Sequence, residues 1–291
     1  MKRIFIFFQP GAYGWWLSWL ISTNHATHHD KVYPDQLLED GSSHNRLRLD
    51  KDVDHPAGYA AIRRSFEHVP PQELDLFTYQ CIPGLYPHES TDVITSEIAD
   101  RGGDCIHINI LDRDARDIVH LNTWYKIPDS RLRFGPYHLE RIQRWNPAAS
   151  SEDDLAPWEL REFISYMEID VGISSTNPKV LNIDVMDILF GDQSAIIDRI
   201  FDRFELPRRE IDVSAQHAKM LSKQASVSDL ASIKDVISRC LAGEEGEIPE
   251  MNLYAQAITQ RRLREMGIGI RCHGLDVWPT TLGQLRSLLI A

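Results

Sequence analysis

The chain has 291 residues, with 43 Asp+Glu against 31 Lys+Arg, a formal net charge of −12 and 43% hydrophobic residues. That length suits one large domain or two small ones, and the apolar fraction is ordinary for a globular protein with a sizeable core. The acidic balance argues against non-specific nucleic-acid binding, while a local basic pocket for a small anion remains open to it.

The first stretch, "MKRIFIFFQPGAYGWWLSWLIS", has the basic start and apolar run of a signal peptide. Gln9-Pro10-Gly11 interrupts that run, no small-residue cleavage site follows Ser22, and neither half reaches the ~20 residues of a membrane span. It reads instead as a strand, "RIFIFF", a turn over Pro10-Gly11-Ala12-Tyr13-Gly14, and a helix, "AYGWWLSWLIS". In α/β proteins the first strand-to-helix turn is where a phosphate usually sits, because the helix start offers unpaired N–H groups and glycine admits an anion close to the backbone. A glycine turn is also how any strand reverses into a helix. Trp15, Trp16 and Trp19 could stack an adenine or an aromatic acceptor, though packing a helix on a sheet is the commoner use of such rings. "HATHHD" (25–30) has metal-ligand spacing, but it lies past the first helix, away from the glycine turn, and reads as a solvated histidine cluster.

A helical pattern, "HPAGYAAIRRSFEHV", leads to a second strand, "LDLFTYQC". His88 and Glu89, in "IPGLYPHE", follow that strand on the ligand edge and suit a base and its partner, or plain loop residues. "STDVITSEIADRGG" is a helix with Ser90 as N-cap and Gly102 as stop. The third strand, "CIHINILD", carries His107 as an inward-facing core residue and runs into "LDRDARDIVHLNTWYK". Arg113, Asp114, Arg116 and Asp117 thus fall where a strand ends and a helix starts, the edge at which open parallel sheets bind ligands. An arginine there can grip a phosphate with a bidentate fork, or pair with neighbouring acids on a solvated helix start.

"KVLNIDV" is a fourth strand, and the second half is mostly helical. "DDLAPWELREFISYMEID" starts with acids and a proline, as helix N-termini favour. "DQSAIIDRIFDRFELP" puts Ile196, Ile197, Ile200, Phe201 and Phe204 on one face and is ended by Pro207. "SVSDLASIKDVISRCLAG" and "NLYAQAITQRRLREMG" are two more amphipathic helices, and a strand-like "IGIRCH" and a helix, "TTLGQLRSLLI", close the chain. The loop "AGEEGEIPEM" is too short for a linker, so a single domain over residues 1–291 is expected. Cys81, Cys105, Cys240 and Cys272 form no CxxC pair, which fits free thiols of a cytoplasmic protein rather than a zinc site.

In order of elements and in its motifs the chain resembles the sulfotransferases that use 3′-phosphoadenosine-5′-phosphosulfate (PAPS). "PGAYGWWL" (10–17) matches the family's PKSGTTWL loop at Pro10, Trp16 and Leu17, and "YQCIP" (79–83) resembles the KTHLP strand by its proline and position. "RDARDIVHLN" (113–122) matches RDPRDVxVS at Arg113, Asp114, Arg116 and Asp117. "VLNIDVMDILFGDQSAIIDRIFDRFELP" resembles the family's strand, turn and helix ending in a FLGLP-like signal. The likeness runs over roughly residues 3–207.

The resemblance implies an α/β fold in three layers, with a mostly parallel sheet of P-loop-like, sulfotransferase-type topology and a helical C-terminal half. It implies PAPS as cofactor and PAP as product, held by Gly11, Ala12, Tyr13, Gly14, Trp15 and Trp16 at the 5′ end and by Arg113 and Asn122 at the 3′-phosphate. A sulfuryl group would pass to a hydroxyl or amine of a small-molecule or peptide acceptor, with His88 as base; no nucleic-acid or membrane partner and no metal is expected. The chain differs from the motifs at the loop lysine, here Gly11, at the Ser/Thr pair, here Gly14 and Trp15, at the catalytic histidine, here Cys81, and at the RDPRDVxVS serine, here Leu121. A binding or assembly protein that keeps the fold, and a nucleotide-dependent kinase, are the rival readings; the absence of GxxxxGK[ST] counts against the kinase.

Overall fold

The computed structural model describes residues 2–9, 11–26, 74–80, 95–125, 143, 147–148, 155–166, 175, 177–222 and 224–290. In chain order the elements are β1 (Lys2–Phe8), α1 (Gly14–Asn24), β2 (Leu74–Gln80), β3 (Asp104–Asn109), α2 (Arg113–Tyr125), α3 (Pro157–Tyr166) and β4 (Val180–Asp184). Then follow α4 (Val185–Phe190), α5 (Gln193–Phe204), α6 (Ser214–Ser222), α7 (Ala225–Leu241), α8 (Leu253–Glu265), β5 (Gly269–Ile270), α9 (Leu282–Leu288) and β6 (Leu289–Ile290). Contacts group the chain into two compact units: Met1–Val119 with Ile169–Gln224, and His120–Glu168 with Ala225–Ala291.

The first unit is mixed α/β, built on a parallel sheet of order β2-β1-β3-β4. Ile4 to Phe8 are each at most 1% exposed. With both faces of β1 covered, its sequence is a continuous apolar run rather than an alternation, as parallel strands require. The register sets Phe7 against Tyr79 on one side and His107 on the other.

The turn after β1 is tighter than the sequence reading has it, and α1 starts later. Gly11 (φ 88°) and Tyr13 (φ 60°) are both left-handed, and the Ala12 N–H donates to the Gln9 carbonyl at 2.9 Å. Gly14 is a glycine for a reason other than anion approach: a Cβ there would overlap the buried Phe8 ring. Both α1 and α5 carry apolar residues inward, and Ile196, Ile197, Ile200, Phe201 and Phe204 are buried as their spacing predicts. Pro207 is not what stops α5. Glu205 takes a left-handed conformation (φ 53°), and the Leu206 N–H returns to the Phe201 carbonyl at 2.9 Å. That is the six-to-one bond of a Schellman end, which closes the helix before the proline is reached. His25, first of the expected solvated histidines, is also different: it caps α1, is 1% exposed and pairs its backbone with Arg208. His28 and His29 lie outside the described residues.

The second unit is helical, as expected of the C-terminal half, with β5 and β6 paired antiparallel. Arg161, on α3, is 1% exposed and meets no carboxylate among the described residues. Its guanidinium donates to the Leu275 and Asp276 carbonyls and to Gln256 Oε1, so it clamps the segment between β5 and α9. Burial pulls its pKa down, opposed by Cys272 and Asp276. Cys105, Cys240 and Cys272 are free and buried, and burial pushes the Cys105 thiol up to about 12. Among the described residues no helix is long and apolar enough to cross a membrane.

The Gly14 geometry gives a test. Alanine is favoured over glycine inside a helix by up to ~1 kcal/mol, whereas overpacking a full core costs about 1–3 kcal/mol. Gly14→Ala is therefore expected to lower the thermal midpoint, and a double-mutant cycle with Phe8→Leu should show the two sites coupled. A Gly14→Ala protein as stable as the parent would mean the ring has room to move.

Candidate functional site

Two features of the first unit are placed to meet a ligand. The first is the carboxyl edge of the sheet between β1 and β3. From β1 the chain goes to β2 on one side, and from β3 it goes to β4 on the other. Such a reversal leaves a crevice between the two strand ends, the position at which open α/β sheets bind ligands. The parallel register of β1 and β3 brings the glycine turn and the RDARD stretch to this one edge.

The turn offers little open backbone. Ala12 is fully buried, Tyr13 is 6% and Trp16 3% exposed, Gly14 is buried, and Gly11 and Trp15 are partly exposed. Trp15 sets its ring edge-on to Phe8, with centroids 6.0 Å apart. Opposite, Arg113 is exposed at the first position of α2, while Arg116 Nε donates to the buried Asp117 carboxylate at 3.1 Å. Asp112 caps α2 by accepting from the Ala115 N–H at 2.7 Å, so a carboxylate already sits at that helix start. Asp184 ends β4 and caps α4 through the Met186 N–H at 2.8 Å. Burial raises its pKa, with Asp187 and Asp112 adding to the rise against the backbone bond. This edge is therefore mixed in sign, with a protonatable carboxyl at Asp184 that the sequence reading did not single out.

Asn122 is not brought to Arg113. It is buried, nine residues further along α2, which is two and a half turns and about 13 Å of helix axis. Asn122 falls in the second unit. His107 is a buried core histidine, as expected, with Nδ1 2.6 Å from Asn109 Oδ1. His88, with Cys81 and Glu89, lies outside the described residues.

The second feature is a cavity of about 450 Å³ between the starts of α5 and α6. Trp16 joins it to α1: its indole N–H donates to Gln193 Oε1 at 3.0 Å, and its ring lies 5.7 Å from the His217 ring. Trp16 and Trp19 pack on each other at 4.6 Å, so these rings form a buried wall, the commoner of the two uses weighed for them. Gln193, buried, returns its amide to the Ile188 and Gly191 carbonyls, which fixes the turn between α4 and α5. Asp192 and Asp212 line the same space: Asp192 caps α5 by accepting from the Ser194 N–H, and Asp212, two residues before α6, accepts from the Ser214 N–H at its first position, at 2.9 Å each.

His217 also lines the cavity. Its Nε2 lies 3.0 Å from the Ile188 carbonyl, which only accepts, so Nε2 carries the proton and Nδ1 keeps its lone pair. Burial lowers the imidazole pKa, against the opposing pull of the Ile188 and Leu189 carbonyls. The stretch "DVSAQH" signals a helix cap in the sequence, but nothing in it says that the histidine meets Trp16 from another helix. Among the described residues no group of three or more His, Cys, Asp or Glu is arranged to hold a metal ion.

An NMR titration of the imidazole should give His217 a midpoint below its ordinary 6.5 and the Nε2–H tautomer above it. In that range the unfolded chain takes up a proton that the folded imidazole refuses. The contribution of His217 to stability is thus present above 6.5 and is lost as pH falls toward its lower folded value. His217→Asn should flatten that part of the stability–pH curve, whereas a midpoint at or above 6.5 would mean a solvated ring. No family model, curated protein or solved structure matches the chain.

Proposed function

We propose that the protein is a divergent sulfotransferase-type protein that binds PAPS at the carboxyl edge between β1 and β3 and passes its sulfuryl group to a hydroxyl or amine. The observation that carries this reading is the sheet order. It sets β1 beside β3 with their connections diverging, so that the glycine turn and Arg113 flank one crevice. The P-loop-like, three-layer designation of the fold belongs to the same proposal. In it, Arg113 holds the 3′-phosphate and the exposed side of the turn meets the 5′ end. His88 or Asp184 would take the acceptor proton. Transfer without the loop lysine, which is Gly11 here, needs another cation near the leaving phosphate.

One observation favours a second reading, a binder that keeps the fold without the chemistry. Ala12, Tyr13, Gly14 and Trp16 are buried in the turn that should cradle the sulfate-bearing phosphate. Parallel titrations separate the two. On the sulfotransferase reading PAP binds more tightly than ATP. Arg113→Ala weakens PAP by about 1.5–3 kcal/mol, the range for hydrogen bonds to charged groups, and leaves AMP nearly unchanged. Equal losses for PAP and AMP would make Arg113 structural, and preference for ATP would remove the cofactor assignment. In a transfer assay, His88→Ala is expected to keep PAP affinity and to cut the rate by about 10²–10⁴-fold. A parent that binds PAP but transfers to no acceptor in a broad panel would establish the binder.

A further inference from the structure

From the cavity beside Trp16 we infer a second site, one that takes a small organic ammonium with an apolar body, independently of what the sheet edge binds. The volume, about 450 Å³, is within the range of small-molecule pockets. Its walls divide by chemistry. Ile197, Val213 and Leu221 supply apolar surface, and Asp192, Asp212 and His217 supply the polar groups.

The charge balance decides the sign of the ligand. Two helix N-termini, from helices of 12 and 9 residues, open here and by themselves would favour an anion. Each is worth about half a positive charge, and each already has a carboxylate bonded to an N–H of its first turn, which leaves roughly one negative charge in excess. Asp212 stays ionised, because hydrogen bonds from the Ser214 side chain and backbone hold its pKa down. His217 adds no positive charge at neutral pH, and with Nε2–H turned to Ile188 its Nδ1 is an acceptor. The nearest arginine whose contacts reach this rim, Arg208, donates to Ser194 Oγ and is paired with Asp198. Each carboxylate bonds its backbone N–H through one oxygen, Oδ1. The second oxygen of each carboxylate and His217 Nδ1 are acceptors, and an ammonium offers only donors. The apolar walls require a hydrocarbon body rather than a bare inorganic cation.

Three probes on one skeleton test this: 2-phenylethylammonium, 2-phenylethanol and 3-phenylpropanoate, titrated into the full chain by calorimetry, with the His217 imidazole signals followed by NMR. The ammonium should bind at least about tenfold more tightly than the alcohol, as one charge-assisted hydrogen bond would give, and move the His217 signals. The carboxylate should bind more weakly than either. An asparagine side-chain oxygen accepts the same backbone bonds, so Asp192→Asn/Asp212→Asn removes the charges without removing those bonds. That variant should keep the parent's thermal midpoint and lose the preference for the ammonium. Should the pair fail to fold, either single substitution should shift the preference the same way. The inference is overturned if the alcohol or the carboxylate binds as tightly as the ammonium. It is equally overturned if the charge-free variant keeps the preference, or if none of the probes perturbs His217 at about 10 mM.

Discussion

A strand that is paired along both edges and covered on both faces leaves its chain one way out, through the end of the sheet. β1 is such a strand: it pairs with β2 and β3, and Ile4 to Phe8 are closed to solvent. Continuous burial is affordable only because the backbone groups are paired on both sides, since an unpaired buried N–H or carbonyl would cost about 1–3 kcal/mol each. The carboxyl end of β1 is then where the first free backbone appears, and the reversal between β1 and β3 puts the start of α2 next to it. The position of the sheet-edge site follows from that pairing, whatever side chains occupy it.

The same pairing explains the closed turn. Phe8 is the last residue of β1, and its ring has to be covered by something from the turn that follows. Gly14 does this by lacking a side chain, and Trp15 by setting its ring edge-on to Phe8. A glycine that lets two pieces of protein approach and a glycine that lets a phosphate approach look alike in sequence. At Gly14 the coordinates show the first kind of approach, to the Phe8 ring.

How much was legible in the sequence follows the range of the interactions. The four strands of the main sheet were readable from short runs rich in β-branched and aromatic residues, nearly unbroken in "RIFIFF" and interrupted by the buried His107 and Asn109 in "CIHINILD". The buried stripe of α5 was readable from its spacing, but its stop was not. The six-to-one bond at Leu206 depends on Glu205 adopting a left-handed conformation that glutamate seldom takes, while Pro207 offered a plainer local reason. His25 was misread because its burial is made by residues nearly two hundred positions away. Of the expected site residues, Arg113 was placed at the sheet edge by position alone. Asn122 is buried on α2, and its part in a 3′-phosphate site stays with the proposal.

Trp15 and Trp16 carry the last step. Adjacent residues on a helix diverge, and here one ring turns to the end of β1 and the other to Gln193 and His217. The first turn of α1 therefore sends one ring to the end of β1 and the other to residues that line the cavity, and the two places differ in electrostatic character. The crevice has exposed Arg113 beside acids, whereas the cavity has two carboxylates and a neutral imidazole. In water such charges would be screened over about 8–10 Å, but partly enclosed surfaces are screened less. On the two proposals made above, the adjacent tryptophans at the start of α1 would serve the anion site with one ring and the residues around the cation site with the other.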